Sequence, residues 1–362
     1  MPDAIAIEPE PAFLRRVLAS GGQDLKKCYQ CATCSVACEL SEDDAPFPRK
    51  QMMEAQWGLA DRLTSDAAIW RCHNCGECTT RCPRGAHPGD VLGAIRREAI
   101  RRFAFPGFMG SLTASPKALP LLFLVPALVF ACVLFWAPKP VPAMPFEFGS
   151  LFPAATLEPL FFAVSGLAVL AFVVGITRFA RRLREANGNG ASEPVFGVLK
   201  EIAGHQRFAR CADAALRLPH LLTFYGFLGL AIVGTAAGIG SMTGTLRTPL
   251  DLASPLKIFA NLSAAMSLAG VVLVLARRFG DPARRRASTY FDWFFLGTLA
   301  GVVLTGIASE LLRLARLELM YGVYFIHLVL VFSLLLYAPY SKFAHLAYRT
   351  VALAGFRKSN GR

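Results

Sequence analysis

Eight cysteines between Cys28 and Cys82 limit what this chain can be more than any other feature. They occur as CYQCATCSVAC and CHNCGECTTRCP. Cys28, Cys31, Cys34 and Cys38 form one C-x2-C-x2-C-x3-C set; Cys72, Cys75, Cys78 and Cys82 form a second, followed by Pro83. Three thiolates at intervals of three residues lie on one short wrapped loop and reach three irons of one cube, while the fourth, set apart, closes a site elsewhere. That is the ligand rhythm of two 4Fe-4S clusters. Zinc also uses paired CxxC motifs, but a tetrahedral ion takes four ligands and has no use for a third regularly spaced cysteine. With eight of the 10 cysteines in these motifs, a disulfide framework is not expected, and thiolate ligation points to a reducing compartment. The other two, Cys132 in an apolar segment and Cys211 in a polar one, read as inert small residues.

The remainder of the chain is too apolar for an ordinary soluble domain. Of 362 residues, 54% are hydrophobic and 17% charged. Six apolar segments follow the cysteines: Leu119 to Trp136, Leu157 to Phe179, Leu218 to Met242, Pro255 to Ala276, Tyr290 to Leu312 and Tyr321 to Tyr340. Each is near the 20 residues that cross a bilayer as a helix. The formal charge of +13 reads first as loop charge on the cytoplasmic face, not as a nucleic-acid surface, so no nucleic-acid partner is expected. With the cysteine-rich head in the cytoplasm, six spans return the C-terminus there. The cytoplasmic loops then carry Arg178, Arg181, Arg182 and Arg184, then Lys200, Arg207, Arg210 and Arg217, then Arg277, Arg278, Arg284, Arg285 and Arg286, and the tail adds Lys342, Arg349, Arg357 and Lys358. Opposite loops hold Lys139, Arg247, Arg313 and Arg316. The positive-inside rule and the cluster chemistry thus agree on orientation in a cell (inner) membrane. No signal peptide is expected, since MPDAIAIEPEPAFLRRV lacks a charged start followed by an apolar stretch.

An all-α protein follows: residues 1–110 as a head and 111–362 as a membrane domain. In the head, Pro11 to Ser20 reads as a helix ended by Gly21 and Gly22. The insert Arg49 to Trp70 has apolar residues at a spacing near 3.6. Val91 to Phe105 is a basic amphipathic helix that either packs on the head or lies at the membrane surface. NGNG at 187–190 marks a flexible connection between spans two and three.

Histidine supplies a second constellation. Of six histidines, His205, His220, His327 and His345 belong to the membrane half, where such residues are costly and usually functional. His327 and His345 are 18 residues apart, five turns of one face on a continuous helix, about 27 Å of rise. His205 and His220 are 15 apart, about 22 Å if helical, although Pro219 interrupts that segment. Two helices with two histidines each can hold two haems b. By depth, His205 pairs with His345 and His220 with His327. His73 and His87 fall outside the ligand set, because eight cysteines already complete two cubes. Tyr225, Asp292, Ser309, Glu310 and Glu318 are polar groups in or near the membrane. Each reads equally as a span-end or interhelical residue, so no quinone ligand is assigned.

These motifs carry a resemblance. In two-cluster ferredoxins the fourth cysteine serves the other cluster, which implies that Cys38 and Cys82 are exchanged. The helical insert resembles the α-helical ferredoxin domain of the C subunits of heterodisulfide reductases and of succinate dehydrogenase iron-sulfur subunits. Fused to a cytochrome b-like bundle, CYQCATC and CHNCGECTTRCP resemble the C subunits of quinone-interacting membrane-bound oxidoreductases, whose membrane half is similar to the gamma subunit of respiratory nitrate reductase. The resemblance implies electron transfer between cytoplasmic flavin/iron-sulfur subunits A and B and membrane quinone, through two clusters and two haems b, with a link to adenylylsulfate reductase and sulfur metabolism. The chain itself shows no flavin or substrate site and no catalytic residue. Two other classes compete. A six-span transporter would be expected to show paired interrupted helices and an internal repeat, which are not seen. A membrane-anchored redox sensor would not need so many cofactors.

Overall fold

The structure is a computed structural model that describes residues 8–136, 146–187, 195–205, 215 and 217–355. Cys211, Arg207, Arg210, Lys139, Arg357, Lys358 and residues 188–190 of NGNG lie outside the described residues. Among those described there are helices and no strand, as the composition requires.

In the head, α1 (Pro11–Val17) begins with proline at its first turn and runs into a π-helical turn, Leu18–Gly22. The expected stop is at Gly21, where φ is +109° and the Arg97 guanidinium approaches so closely that a Cβ would sit 2.9 Å from it. Only glycine combines that conformation with that approach. The cluster loops carry the short helices α2 (Thr33–Val36) and α6 (Glu77–Thr80). The insert between them is helical but divided into α3 (Arg49–Gln56), α4 (Ala60–Thr64) and α5 (Ala67–Arg71). Its first break is Gly58, at φ +72°, whose carbonyl accepts the Glu10 N–H at 2.9 Å. Apolar periodicity persists across such a break, which is why the insert reads as one helix.

The axis of the head is α7 (Pro88–Phe103). Val91, Leu92, Ile95 and Ile100 are buried in one core with Phe13, Val17, Met52, Leu63 and Trp70. Its arginines are tied inside the head as well: Arg96 donates to the Ile69 carbonyl at 3.2 Å, Arg97 to the Ser20 carbonyl, Arg101 pairs with Glu98 at 3.0 Å and Arg102 with Glu10 at 2.9 Å. Of the two readings of this basic helix, packing on the head is the one realised.

After α8 (Gly107–Thr113) come six helices long and apolar enough to cross a membrane: Pro116–Trp136, Ala154–Ala186, Arg217–Met242, Pro255–Gly280, Tyr290–Leu314 and Leu319–Gly355. They comprise α9 (Leu119–Trp136), α10 (Ala154–Asn187), α12 (Arg217–Met242), α13 (Pro255–Gly280), α15 (Tyr290–Leu314), α16 (Leu319–Tyr337) and α17 (Ala344–Gly355), with α11 (Val195–Ala203) and α14 (Pro282–Ala287) in the connections. Leucine and valine such as Leu124, Val169 and Leu304 point outward and exposed, the pattern of a surface solvated by lipid, not water. Where hydrophobicity gives helices no reason to associate, small residues do. A Cβ on Gly226 would lie 2.5 Å from the Ser267 backbone, and one on Gly229 2.2 Å from the Ser263 hydroxyl, so α12 and α13 pack backbone to backbone.

The last span differs from expectation. α16 stops at Tyr337, a 3-10 turn covers Ala338–Tyr340, Ser341 is extended, and α17 begins at Ala344. Pro339 has no N–H to continue the ladder, so His327 and His345 do not share one continuous helix face. The turn lets α17 swing onto the head. Tyr348 stacks on Trp70 at 5.4 Å between centroids and packs on Phe179 of α10 at 5.0 Å, and Phe179, Leu183, Ala344, Tyr348 and Ala352 belong to the head's own core. Lys342 pairs with Asp292 at the start of α15, and Arg178 donates to the Ala104 carbonyl at 3.3 Å. The head is therefore fixed on the bundle.

Tyr348→Ala should cost about 3 kcal/mol, the scale of deleting a buried aromatic. Because the cavity opens at the seam, limited proteolysis of the detergent-solubilised protein should release the head sooner than from the parent chain.

Candidate iron-sulfur centres and histidine cluster

The two cysteine loops are built alike. Gln30 and Ala32 in the first have φ of +60° and +66°; Asn74 and Gly76, at the same offsets in the second, have +57° and +87°. Left-handed residues two and four places after the leading cysteine curl each loop so that its first three thiols converge. Three of the four are not glycine, a strain that persists only where the surroundings enforce it. Each loop then enters its short helix, with Cys34 on α2 and Cys78 on α6, and these helices pack on each other.

That packing exchanges the fourth cysteines. Cys28, Cys31, Cys34 and Cys82 line one pocket, with Tyr29, Arg49 and Arg84 at its wall. Cys38 instead lies among Cys72, Cys75 and Cys78, each of which acts electrostatically on its neighbours. Burial first, and adjacent thiols second, push Cys34 up to about 11 and Cys78 up to about 12; the exposed Cys31 is lowered by its hydrogen bond with Thr33. Thiols gathered in two groups of four suit an iron-sulfur core, which takes its ligands as thiolates and releases their protons. Hydrogen bonds to sulfur are already present: the Ala86 N–H donates to Cys82 Sγ and the Asn74 N–H to Cys72 Sγ, each at 3.3 Å, and Gln30 Nε2 donates to Cys28 Sγ at 3.5 Å. Such donors tune a cluster's potential. Among the described residues, no three His, Cys, Asp or Glu side chains are grouped to hold a single metal ion. All nine described cysteines are free. The residues present fit two cubes with exchanged fourth ligands.

His87 is a partner of Asp24 at 2.6 Å, and Lys27 first, then His87, hold that carboxyl below its usual range. His73 lies 3.5 Å from Arg349 of α17. What the sequence did not disclose is that Arg96 and Arg349 both donate to the Cys72 carbonyl, each at 3.4 Å. The spacing of Arg349, four residues after His345, was the available signal.

The four membrane-half histidines differ in what holds them. His205 Nε2 is 2.7 Å from His220 Nδ1, and His205 Nδ1 is 3.1 Å from the Ala203 carbonyl. With Nδ1–H given to that carbonyl, His205 accepts through Nε2, and His220 donates from Nδ1 and carries its lone pair at Nε2. His345 lies within electrostatic reach of His220 and gives its own Nδ1–H to the Lys342 carbonyl. His327 faces α15 instead: Thr305 donates to the Gly301 carbonyl at 2.6 Å and so accepts Nδ1–H from His327 at 3.0 Å. An imidazole whose Nδ1–H is engaged presents Nε2 as a metal ligand presents it. His220, His327 and His345 meet that test, while His205 orients His220. His205 and His220 are thus in direct contact, His345 lies within electrostatic reach of His220, and His327 is bonded to Thr305 of α15. Imidazoles held in this way are donors of the kind that ligate haem iron.

Three of the other polar groups singled out from sequence have structural partners. Tyr225 donates to the Ala203 carbonyl at 2.8 Å, Ser309 to the Thr305 carbonyl at 2.7 Å, and Glu310 pairs with Lys257 at 2.9 Å and Arg313 at 3.2 Å.

Residues 24–86 match the family described as the 4Fe-4S dicluster domain. The first hundred residues are similar to the C subunit of H(2):CoB-CoM heterodisulfide,ferredoxin reductase from Methanothermobacter thermautotrophicus, with 36% identity over 97 residues, 27% of this chain and 50% of the relative. The C subunit of ferredoxin:CoB-CoM heterodisulfide reductase from Methanosarcina mazei is 36% identical over 26% of this chain and 56% of its own length. The chain thus spans about half the length of these relatives. Citrate utilization protein B of Escherichia coli is 28% identical over 96% of this chain and 92% of its own. No solved structure matches.

If buried thiols are the ligands, each thiolate taken up releases a proton, so reconstitution of the iron-free protein with iron and sulfide should become more complete as pH rises from 7 to 9. Ala32→Gly, which removes a left-handed Cβ worth about 1 kcal/mol, should keep full iron content and slow its loss to a chelator.

The head is an iron-sulfur electron-transfer domain similar to the C subunits of heterodisulfide reductases, carried on six helices apolar enough to cross a membrane.

Proposed function

We propose that this protein is the membrane electron-transfer subunit of a quinone oxidoreductase complex. The observation that carries the reading is the exchange of Cys38 and Cys82 between two sets of four cysteines, in a head whose core includes residues of the spans. Iron-sulfur clusters bound there supply one-electron storage and transfer. Cys28, Cys31, Cys34 and Cys82 hold one, and Cys38, Cys72, Cys75 and Cys78 the other. His220 and His345 hold a haem b on the head side of the membrane, a further one-electron relay, with His205 fixing the tautomer of His220. His327 stays outside that pair. The head and C-terminus face the cytoplasm of a cell whose inner membrane carries the spans.

A flavin/iron-sulfur partner feeds the head, and quinone takes the electrons or returns them. Of two settings, one linked to adenylylsulfate reductase and one in citrate utilization, the second is favoured, because similarity to citrate utilization protein B extends over head and spans together. A redox sensor without quinone turnover is the competing reading.

Purified full-length protein should contain about eight non-haem irons per chain and show a b-type α-band that a quinol reduces. His220→Ala and His345→Ala should each abolish that band, whereas His205→Ala should retain haem with an altered spectrum. Intact clusters without quinol-dependent reduction would leave the sensor standing and overturn the quinone reading.

A further inference from the structure

The two cluster sites differ in what surrounds them, and the difference sets a direction along the chain. The wall of the Cys28–Cys31–Cys34–Cys82 pocket is made only of head residues. Tyr29 beside it is 69% exposed under the Arg84 guanidinium, 4.3 Å from the ring, and Val36 on α2 is 88% exposed. The Cys38–Cys72–Cys75–Cys78 site touches the membrane half. Cys72 is buried, and its carbonyl receives Arg96 from the head and Arg349 from α17. Arg349 also reaches His73, the residue after Cys72, and Trp70, two residues before it, stacks on Tyr348. Arg349 and His345 are four residues apart on α17, which places them on one face of that helix. Arg96 acts electrostatically on His345 as well.

Resting on the reading above, we propose that the centre held by Cys38, Cys72, Cys75 and Cys78 is the one that exchanges electrons with the membrane half. Arg349 is the positioning residue that fixes it against the helix of His345, and the Cys28 centre receives electrons from the soluble partner. Each transfer moves one electron and no atom: the Cys28 centre is oxidised by one electron as the Cys72 centre is reduced by one. Two such electrons, with two protons from water, convert a quinone to its quinol. Arg349 contributes in two ways. Its cationic hydrogen bonds at the Cys72 peptide favour the more negative, reduced state of that centre. Its span from α17 to the loop also holds the distance across the seam, on which transfer rates depend.

The test is an EPR-monitored redox titration of the full-length, cluster-loaded protein, with the two signals assigned by Cys31→Ser and Cys75→Ser variants. Arg349→Gln should keep both clusters and leave the Cys28-centre potential unchanged. It should move the Cys72-centre potential to more negative values and slow its reoxidation by added menaquinone several-fold; Arg349→Lys should restore part of both effects. Arg84→Gln should disturb only the Cys28-centre signal. The assignment is overturned if Arg349→Gln shifts the Cys28 signal, or leaves both the Cys72 potential and the reoxidation rate unchanged. If the parent protein shows no reoxidation by quinone, the quinone reading fails, while the potential shift still tests the order of the two centres.

Discussion

The two cysteine loops are laced together: Cys82 of the second lies in the pocket of the first, and Cys38 of the first lies among the thiols of the second. The crossing of Cys38 and Cys82 locks α2 against α6 and brings the sequence ends of the motif region into one body. Everything between them, the three short helices of the insert, is then held in a closed unit whose core is α7. A loop pair that lacked the exchange would leave two separate pockets and no reason for the head to be rigid. Rigidity matters here because an electron relay works by fixed distance.

That rigid head is joined to the membrane half by ordinary packing reinforced at a few polar points. Trp70, Phe179 and Tyr348 form an aromatic seam, and Arg178, Lys342 and Arg349 bridge it with charge or hydrogen bonds. Asp292 caps its own helix, bonding with the Thr289 N–H and hydroxyl at 3.0 and 2.9 Å, and also receives Lys342. One carboxylate thus sets both the start of a span and the position of the turn that delivers α17 to the head. Burying such a group is affordable only because cations lie beside it.

The histidines show how a small change of path alters a site. With α16 and α17 continuous, His327 and His345 would share a face five turns apart. The turn at Pro339 takes α17 toward the head, puts His345 within electrostatic reach of His220, and leaves His327 bonded to Thr305 within the bundle. Pro219 does not keep His205 from His220: His205 Nε2 and His220 Nδ1 are 2.7 Å apart.

The sequence alone determined the class of chemistry and the division of labour. Cysteine spacing specifies cluster ligation because three thiolates on one loop have few other uses, and span length specifies a membrane helix because a bilayer has a fixed thickness. Both are local properties of the chain. The helical insert was visible as periodicity, but its breaks were not, because Gly58 turns the backbone without disturbing the apolar spacing. The destination of the basic helix α7, the grouping of His205, His220 and His345, and the two arginines at the Cys72 carbonyl were decided only by tertiary structure. Each depends on where residues far apart in sequence meet, such as Arg349 and Cys72. No local pattern encodes that meeting, since it follows from the packing of the head on the spans.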